Sequence, residues 1–507
     1  GELARVQFDI PSGSLAEGDG KDWKVIMRKQ FTEITGPGGI EGNASVNDPI
    51  WALGWDYKSV ILACREPEKG WTFYRLPKAS FAYDGAHGWN TEWPRIRNVG
   101  TKENPDYLMT MHGMFWRFPH TFTSANTAGI TPRGAYLKVI ADFANWNGRL
   151  VFGCDDSAQS EFLNKRKQKG NIGGPGQSHS NIWFGDMSTP DNVGPTTAGG
   201  SLWLKEDVKA GVASEPFLFN GWDNRCAWIA NRSSKPAVIT FEVDQKGDNK
   251  WSELRKVEVG ANSSLFVPFE ATDKGIWIRA ISNADINVDL TFVLAEAESR
   301  TTEPDAIFNG LATIKQAGDS EGLMYGLPDN RRALGILATT AEGKAYYELD
   351  GKMNLQAKDD AEMAEYIADK FAIPEDVIQI DKGSILIVDA KDRRWRLPLG
   401  HDKYNEMIEQ QKLRLCREVA TERDLFSCHG TFFELPAENA DGYAKIRPVS
   451  SHKFAINDYA SYRGMMMFTG IDHSKAQENA HIVLSEDGKA AVWAGAIDDL
   501  WKMGKPT

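Results

Sequence analysis

Short apolar runs separated by turn residues recur along the whole chain. Two clear examples are 150–152 and 465–468, and residues 238–244 alternate apolar and polar positions. Runs of this kind, bounded by Gly, Asn and Asp, predict β-strands joined by tight turns. The segments 359–372 and 403–417 differ, because their apolar spacing predicts short amphipathic helices. The pattern therefore predicts a strand-rich chain with short helical insertions.

A motif of the form His-Gly-x5-Pro occurs three times. The copies are 87–94, 112–119 and 429–436, and their intervening positions are rich in aromatic residues. The chain has only nine histidines, so three in one pattern indicate a repeat architecture.

The repeat extends beyond this motif. Segments 142–148 and 458–464 both have the sequence Asp-aromatic-Ala-x-aromatic-x-Gly, and an apolar run follows each. Both copies then reach Trp-x-Gly-x8-Gly, at 183–194 and 493–504. One supersecondary unit is therefore present twice, far apart in the chain.

Units of about forty to seventy residues built of strands predict an all-β fold, and specifically a β-propeller. We predict that residues 1–507 form a single propeller with seven blades, and the length also fits six or eight. Two unrelated β domains are the alternative. Segment 215–300 differs in texture and forms either two blades or an inserted small β-sandwich.

Charge and cysteine content limit the partners. The net charge is −12, which argues against nucleic acid as a partner. No apolar run is long enough for a transmembrane helix, so we expect no membrane insertion. The five cysteines show no Cys-x2-Cys spacing and indicate neither a disulfide framework nor a zinc site. We expect a monomer.

The three repeated histidines are candidate catalytic residues. Equivalent residues of different propeller blades converge near the central channel, which would bring His87, His112 and His429 together. Imidazole titrates near neutral pH and can act as an acid or a base. It also binds divalent metals, although no carboxylate lies at a telling spacing, so we expect no cofactor. Alternatively, each ring holds a turn while the glycine permits an unusual backbone angle.

Segment 83–95 is the densest polar and aromatic stretch of the chain. Asp84 and Glu92 are candidate catalytic carboxylates, since a carboxyl pair can cleave a glycosidic bond. In the alternative interpretation, Glu92 and Arg95 pair with each other at a blade junction.

Aromatic and basic residues supply candidate contacts to a sugar. The chain has 17 tryptophans, and indole rings stack on the apolar faces of pyranoses. The basic stretch 164–169 could receive the carboxylate or sulfate of an acidic sugar, or it is a solvated loop. The predicted substrate-binding residues are Trp89, Trp93, Arg95, Trp116, Trp146, Lys165 and Arg166.

Segments 87–96 and 111–116 resemble those of uncharacterised bacterial secreted β-propeller proteins. In architecture the chain is similar to propeller glycoside hydrolases and polysaccharide lyases. The resemblance implies a secreted or periplasmic protein that acts on an oligo- or polysaccharide at the channel mouth. We expect a glycoside hydrolase acting on an acidic glycan. The alternatives are a non-catalytic propeller that binds a glycan or a protein, a polysaccharide lyase, and a metalloenzyme with histidine ligands.

Overall fold

The chain divides into two compact units. Unit 1 comprises Gly1–Tyr136, Ile140–Phe152 and Phe184–Glu298, and unit 2 comprises Leu137–Val139, Gly153–Trp183 and Ser299–Thr507. The structure is a computed structural model that describes residues 14–79, 94–136, 138, 140–154, 181–297, 305–315, 320–327, 333–375, 377–389, 391–410, 412–420, 423–435, 442–497 and 499–500. These residues are organised mainly as antiparallel strands, so the chain is all-β.

Fourteen strands lie among the described residues that precede residue 190. They are β1 Leu15–Gly18, β2 Trp23–Met27, β3 Gln30–Thr35, β4 Ile50–Trp55, β5 Val60–Glu66, β6 Gly70–Leu76, β7 Lys78–Ala79, β8 Arg95–Asn98, β9 Tyr107–Met111, β10 Met114–Phe118, β11 Thr131–Ala135, β12 Ile140–Trp146, β13 Arg149–Cys154 and β14 Asn181–Asp186. Consecutive strands pair within β3–β6, within β8–β11 and within β12–β14. This meander pattern keeps each connection short.

The next eight strands form a β-sandwich. They are β15 Thr197–Val208, β16 Phe217–Leu218, β17 Asn224–Asn231, β18 Ala237–Asp244, β19 Trp251–Val259, β20 Ser263–Phe269, β21 Trp277–Ser282 and β22 Ile286–Ala295. One sheet has the order β20-β17-β22-β15 and continues to β7, and the other has the order β19-β18-β21-β16 and continues to β6–β3. This alternation of strands between two sheets is the jelly-roll order.

Alternating side chains explain why the two sheets of the sandwich pack face to face. In β18, Ile239 and Phe241 are buried, while the residues that follow each of them, Thr240 and Glu242, are partly exposed. The Phe241 ring lies 6.3 Å from the Phe292 ring of the opposite sheet. Period-two burial of this kind is what a strand with one core-facing side requires.

The described residues of unit 2 form four further sheets and two short α-helices. The elements are β23 Glu321–Gly326, β24 Leu334–Thr340, β25 Gly343–Leu349, β26 Leu355–Ala357, α1 Ala361–Lys370, β27 Ile378–Asp381, β28 Ser384–Val388, β29 Arg394–Leu397, α2 Lys403–Glu409, β30 Cys416–Ala420, β31 Arg423–Cys428, β32 Thr431–Leu435, β33 Arg447–Ser451, β34 Tyr459–Tyr462, β35 Met465–Phe468, β36 Ile482–Leu484 and β37 Ala491–Ala496. The sheets are β23–β26, β27–β29, β30–β33 and β34–β37. Both helices lie within the two segments in which the sequence predicts them.

The sheets of unit 2 share apolar cores. The first sheet packs against the last, since Ile336 and Tyr347 belong to one buried cluster with Met467 and Val492. The second packs against the third through a cluster that includes Ile385 and Phe426. Helix α1 packs on the first sheet, where its Ile367 is buried. The first and last sheets of unit 2 are therefore neighbours.

Two of the three His-Gly motifs lie among the described residues, and both form hairpin turns. His112-Gly113 joins β9 to β10, and His429-Gly430 joins β31 to β32. The φ angles are 43° and 79° in the first pair and 51° and 87° in the second. Two consecutive residues with positive φ define the type I′ turn, which matches the twist of paired strands and strongly favours glycine. The two Asp-aromatic-Ala-x-aromatic-x-Gly segments end in the same turn, because Asn147-Gly148 and Arg463-Gly464 also have positive φ.

A buried ion cluster joins the strands of unit 2. The Asp458 carboxylate accepts hydrogen bonds from Arg414 Nε and Arg417 Nη2, each at 3.0 Å. It also accepts the backbone N–H of Met324 in β23 at 2.9 Å. The Asp458 side chain is completely buried. One carboxylate, which directly precedes β34, thus contacts residues of both β23 and β30.

The His429 turn lies beside a second histidine, His452, which is half-buried but whose Nε2 is enclosed. The His452 backbone N–H donates to the Gly430 carbonyl at 2.7 Å. Its Nδ1 accepts the Phe454 N–H at 3.3 Å, and its ring lies 4.6 Å from Phe432. Burial lowers the pKa of His452 from 6.5 to about 3. This imidazole is therefore neutral in the folded protein at neutral pH.

We expect Asp458→Asn to lower the free energy of unfolding by about 3–5 kcal/mol, because it removes the buried carboxylate charge that two guanidinium groups share. The matched control is Asp142→Asn, at the equivalent motif position. The Asp142 side chain is 53% exposed, and an exposed ion pair contributes less than about 1 kcal/mol. Urea unfolding followed by tryptophan fluorescence measures both, and equal midpoint shifts would contradict the assignment.

We expect the free energy of unfolding to decrease as the pH falls from about 6.5 to about 3, partly because of His452. In this window the unfolded chain binds a proton at His452 and the folded chain does not, so acid favours unfolding. His452→Asn keeps an acceptor for the Phe454 N–H but does not titrate. Its stability should therefore depend less steeply on pH, by about 1.4 kcal/mol per pH unit. Parallel profiles for the two proteins would refute this.

Candidate functional site

Four charged side chains meet in unit 1 where β3, β8 and β12 approach one another. We call Glu33, Arg95, Arg97 and Asp142 the Glu33 cluster. Arg97 bridges the two carboxylates, because its Nη1 donates to Glu33 Oε1 and its Nη2 donates to Asp142 Oδ2 at 3.0 Å. Arg95 lies 3.2 Å from Glu33 Oε2 and 3.5 Å from Asp142 Oδ2. Each arginine thus contacts both acids.

The two carboxylates of the cluster have different environments. Glu33 is 7% exposed, whereas the Asp142 side chain is 53% exposed. Burial raises the pKa of Glu33 above its usual value, and Arg97 and Arg95 oppose the shift without cancelling it. A buried acid beside a solvated carboxylate is the arrangement that separates proton donor from base in a carboxyl pair.

The Glu33 cluster corresponds to the Asp458 cluster of unit 2. Asp142 and Asp458 occupy the same motif position, and each accepts the backbone N–H of the following aromatic residue, at 2.8 and 2.7 Å. Each also binds two arginines that lie in or near the first strand of the neighbouring sheet. The difference is access, since Asp458 is enclosed and Asp142 is open to solvent.

An exposed row of aromatic and cationic side chains lies on the sheet β12–β14. We call Trp146, Arg149 and Phe184 the aromatic row. Trp146 is 60% exposed and Phe184 is 44% exposed, and their ring centroids are 6.2 Å apart. The Arg149 guanidinium lies 5.4 Å from the Phe184 ring centre. Exposed apolar side chains that lie together, as these do, are typical of a binding surface, whereas scattered single ones are not.

The aromatic row and the Glu33 cluster share strand β12. Alternate residues of a strand point to the same face, which places Asp142 and Trp146 on one face. Four residues of extended chain separate them by about 13 Å. A chain-like ligand lying along β12 can therefore contact both.

The structure places His112 and His429 in hairpin turns of different units. His112 is buried, and its ring packs edge-on against Trp55 at 5.2 Å. His429 Nδ1 accepts the Gly400 N–H at 2.5 Å, and its Nε2 lies 2.7 Å from Asn405 Oδ1. Burial lowers the pKa of His429. These contacts support the structural alternative for His429, whose two ring nitrogens are both engaged.

Two predicted substrate-binding residues have other roles in this structure. The Trp116 ring is completely buried and packs edge-on against Trp222 at 5.9 Å, so it contributes to the core rather than to a sugar-binding surface. Arg95 is occupied by the protein's own carboxylates, Glu33 and Asp142. Trp146, in contrast, is available to a ligand.

The remaining predicted site residues lie outside the described residues, and their roles stay predictions. They are Asp84, His87, Trp89, Glu92, Trp93, Lys165 and Arg166. The predicted pairing of Glu92 with Arg95 also falls there.

The part of the chain that the structure describes holds neither a metal-ion cluster nor a membrane-spanning helix. No group of three or more His, Cys, Asp or Glu side chains there is arranged to hold a metal ion. Within the same residues, no helix is long and apolar enough to cross a membrane.

Sequence reasoning did not select Glu33, Arg97, Asp142, Arg149 or Phe184. A signal for Asp142 was present, because the motif Asp-aromatic-Ala-x-aromatic-x-Gly occurs twice. Glu33 carries no such signal, since it becomes significant only through its contacts with residues more than sixty positions away.

No family model and no curated protein matches the chain. The solved structures that show faint similarity to this chain include the following three. PirA is 11% identical, with 20% of this chain and 88% of that chain covered and a TM-score of 0.13. The exo-beta-1,3-galactanase of Phanerochaete chrysosporium is 9% identical, with 49% and 78% covered and a TM-score of 0.15. A glycoside hydrolase family 43 arabinoxylan arabinofuranohydrolase of Bacillus subtilis is 9% identical, with 50% and 77% covered and a TM-score of 0.14. Similarity this low carries no argument about function.

Proposed function

We propose that this protein is a carbohydrate-active protein, and specifically a glycoside hydrolase that acts on an acidic glycan. The observation that carries the proposal is the arrangement along β12, where an open carboxylate and an exposed tryptophan share one face. Localisation outside the cytoplasm, in the periplasm or after secretion, belongs to the same proposal, as does action as a monomer.

The aromatic row is the proposed sugar-binding surface. The indole of Trp146 and the ring of Phe184 offer flat apolar faces, on which the C–H face of a pyranose can stack. Arg149 lies beside them and is suited to pair with a carboxylate or sulfate, because its guanidinium presents two parallel N–H donors. An acidic sugar satisfies both features at once.

The Glu33 cluster is the proposed catalytic site. Glu33 would donate a proton to the leaving oxygen, which its raised pKa favours. Asp142, which is open to solvent, would activate water or stabilise positive charge on the sugar ring. Arg97 would hold the two carboxylates in place, since it donates to both.

The seven-bladed propeller remains the finer part of the fold proposal. In its favour, the described residues outside the sandwich contain seven antiparallel groups of three or four strands, one of them continuous with a sandwich sheet. The packing of the first sheet of unit 2 against its last argues instead for closure within that unit.

We expect Trp146→Ala to weaken binding of an acidic oligosaccharide about tenfold, because it removes one stacking surface. Isothermal titration with oligogalacturonate, alginate and glucuronoxylan fragments measures the affinity. Trp23→Ala is the matched control, since Trp23 is 54% exposed on β2. Equal affinities for wild type and Trp146→Ala would contradict the proposed surface.

We expect Glu33→Gln to lower kcat at least about 100-fold and to leave affinity nearly unchanged, because it removes the proton donor but keeps the shape. Wild-type turnover should fall as the pH rises through the raised pKa of Glu33, and the residual activity of the variant should lack this decline. Reducing-sugar release from the same glycans is the measurement.

The second candidate function is non-catalytic binding of the glycan through the aromatic row. The extensive ion pairing of Glu33 favours this alternative, because such pairs also tie strands together. Binding without turnover on any of the glycans, with Trp146→Ala still weakening affinity, would establish it in place of the hydrolase.

A further inference from the structure

The outer face of one sandwich sheet carries a second exposed aromatic pair. Trp228 of β17 and Phe266 of β20 lie directly opposite each other in the antiparallel register. They are 48% and 55% exposed, and Val293 of β22, one cross-strand row away, is 55% exposed. Side chains paired in this way have Cβ atoms about 5 Å apart. We call the exposed patch formed by Trp228, Phe266 and Val293 the platform.

The platform is uncharged, although a quarter of the protein's residues are charged. Two cross-strand rows of this face carry the platform: Pro268, Cys226, Val293 and Gly199 in one, and Phe266, Trp228, Thr291 and Ser201 in the other. The Ser201 and Thr291 hydroxyls are hydrogen bonded to each other at 2.7 Å. The nearest acid in this register, Asp289, is paired with Arg232.

The opposite sheet of the same sandwich shows what an ordinary solvated face looks like. There, Arg279 pairs with Glu242 at 2.6 Å, and Lys256 pairs with Glu253 at 2.8 Å. Charged side chains keep that face soluble and discourage association. The absence of any such charge from the two rows around Trp228 therefore marks the first sheet as different.

The chemistry of the platform fits a neutral sugar better than other ligands. Aromatic rings stack on the C–H faces of pyranoses, and the partly exposed Thr291 hydroxyl can exchange hydrogen bonds with those of the sugar. A polyanion would find no cation in the two rows. A protein partner needs about 800 Å² on each side, whereas two half-exposed aromatic residues offer about 100 Å² each.

We propose that the platform centred on Trp228 and Phe266 is a binding site for a neutral glycan, distinct from the Glu33 cluster and the aromatic row. The site recognises two or three neutral pyranose units by stacking and hydroxyl contacts. Binding at the platform does not depend on the proposed hydrolase activity, because no residue of the Glu33 cluster belongs to the platform.

Affinity electrophoresis in native gels tests the proposal. The gels contain hydroxyethylcellulose, galactomannan, xylan or, as the acidic comparison, polygalacturonate. We expect at least one neutral polysaccharide to retard the wild-type protein. The double variant Trp228→Ala/Phe266→Ala should bind it about tenfold more weakly or worse. Trp228→Tyr should restore most of the retardation, because it restores an aromatic face.

Two controls separate the platform from folding defects and from the proposed function. Trp23→Ala removes a similarly exposed tryptophan and should be retarded like wild type, and near-UV circular dichroism verifies that the double variant is folded. Glu33→Gln should also be retarded like wild type, so failure of the hydrolase proposal leaves this result intact.

Three outcomes would overturn the proposal. One is the absence of retardation by all three neutral polysaccharides, and another is unchanged retardation of the folded double variant. The third comes from sedimentation velocity: a wild-type dimer that dissociates in the double variant would make this face an interface between copies of the chain.

Discussion

The interaction on which unit 2 depends is the pairing of one aspartate with two arginines across neighbouring sheets. In unit 2, Asp458 binds Arg414 and Arg417 in a site without solvent. Burying three charges is costly, and only the geometry of several simultaneous hydrogen bonds offsets the cost. The benefit is specificity, because a shifted register would leave the charges unpaired. The positions of the first strands of these sheets follow from this constraint.

The two copies of this interaction show how a structural device can become a site. Asp142 keeps the backbone hydrogen bond and the paired arginines of Asp458, but its side chain is open to solvent. Glu33 then adds a buried carboxyl group on the other side of Arg97, and burial raises its pKa. A cluster with an exposed carboxylate has room for a ligand, whereas the enclosed Asp458 cluster has none. The same types of residue therefore stabilise unit 2 and form an accessible charged cluster in unit 1.

Unit 1 combines this cluster with two exposed aromatic surfaces of different character. The aromatic row includes Arg149 and lies on the strand that carries Asp142, which suits an acidic sugar. The platform around Trp228 has no charge in its two central rows and belongs to the sandwich. Two surfaces with different charge can hold different parts of one heterogeneous glycan. In the two proposals made above, neutral and acidic sugar units are recognised on separate sheets.

The sequence by itself determined the local structure. Period-two alternation predicted strands such as β18, and apolar spacing predicted α1 and α2. The repeats marked two copies of one unit, but that His112-Gly113 and His429-Gly430 form type I′ hairpin turns was decided by the structure. Only the tertiary structure decided which sheets pack together and which side chains remain exposed. Trp116 and Trp146 are the same type of residue, yet Trp116 is buried and Trp146 is 60% exposed. Glu33 meets Arg97 only through folding, since long-range contacts leave no local pattern in the chain.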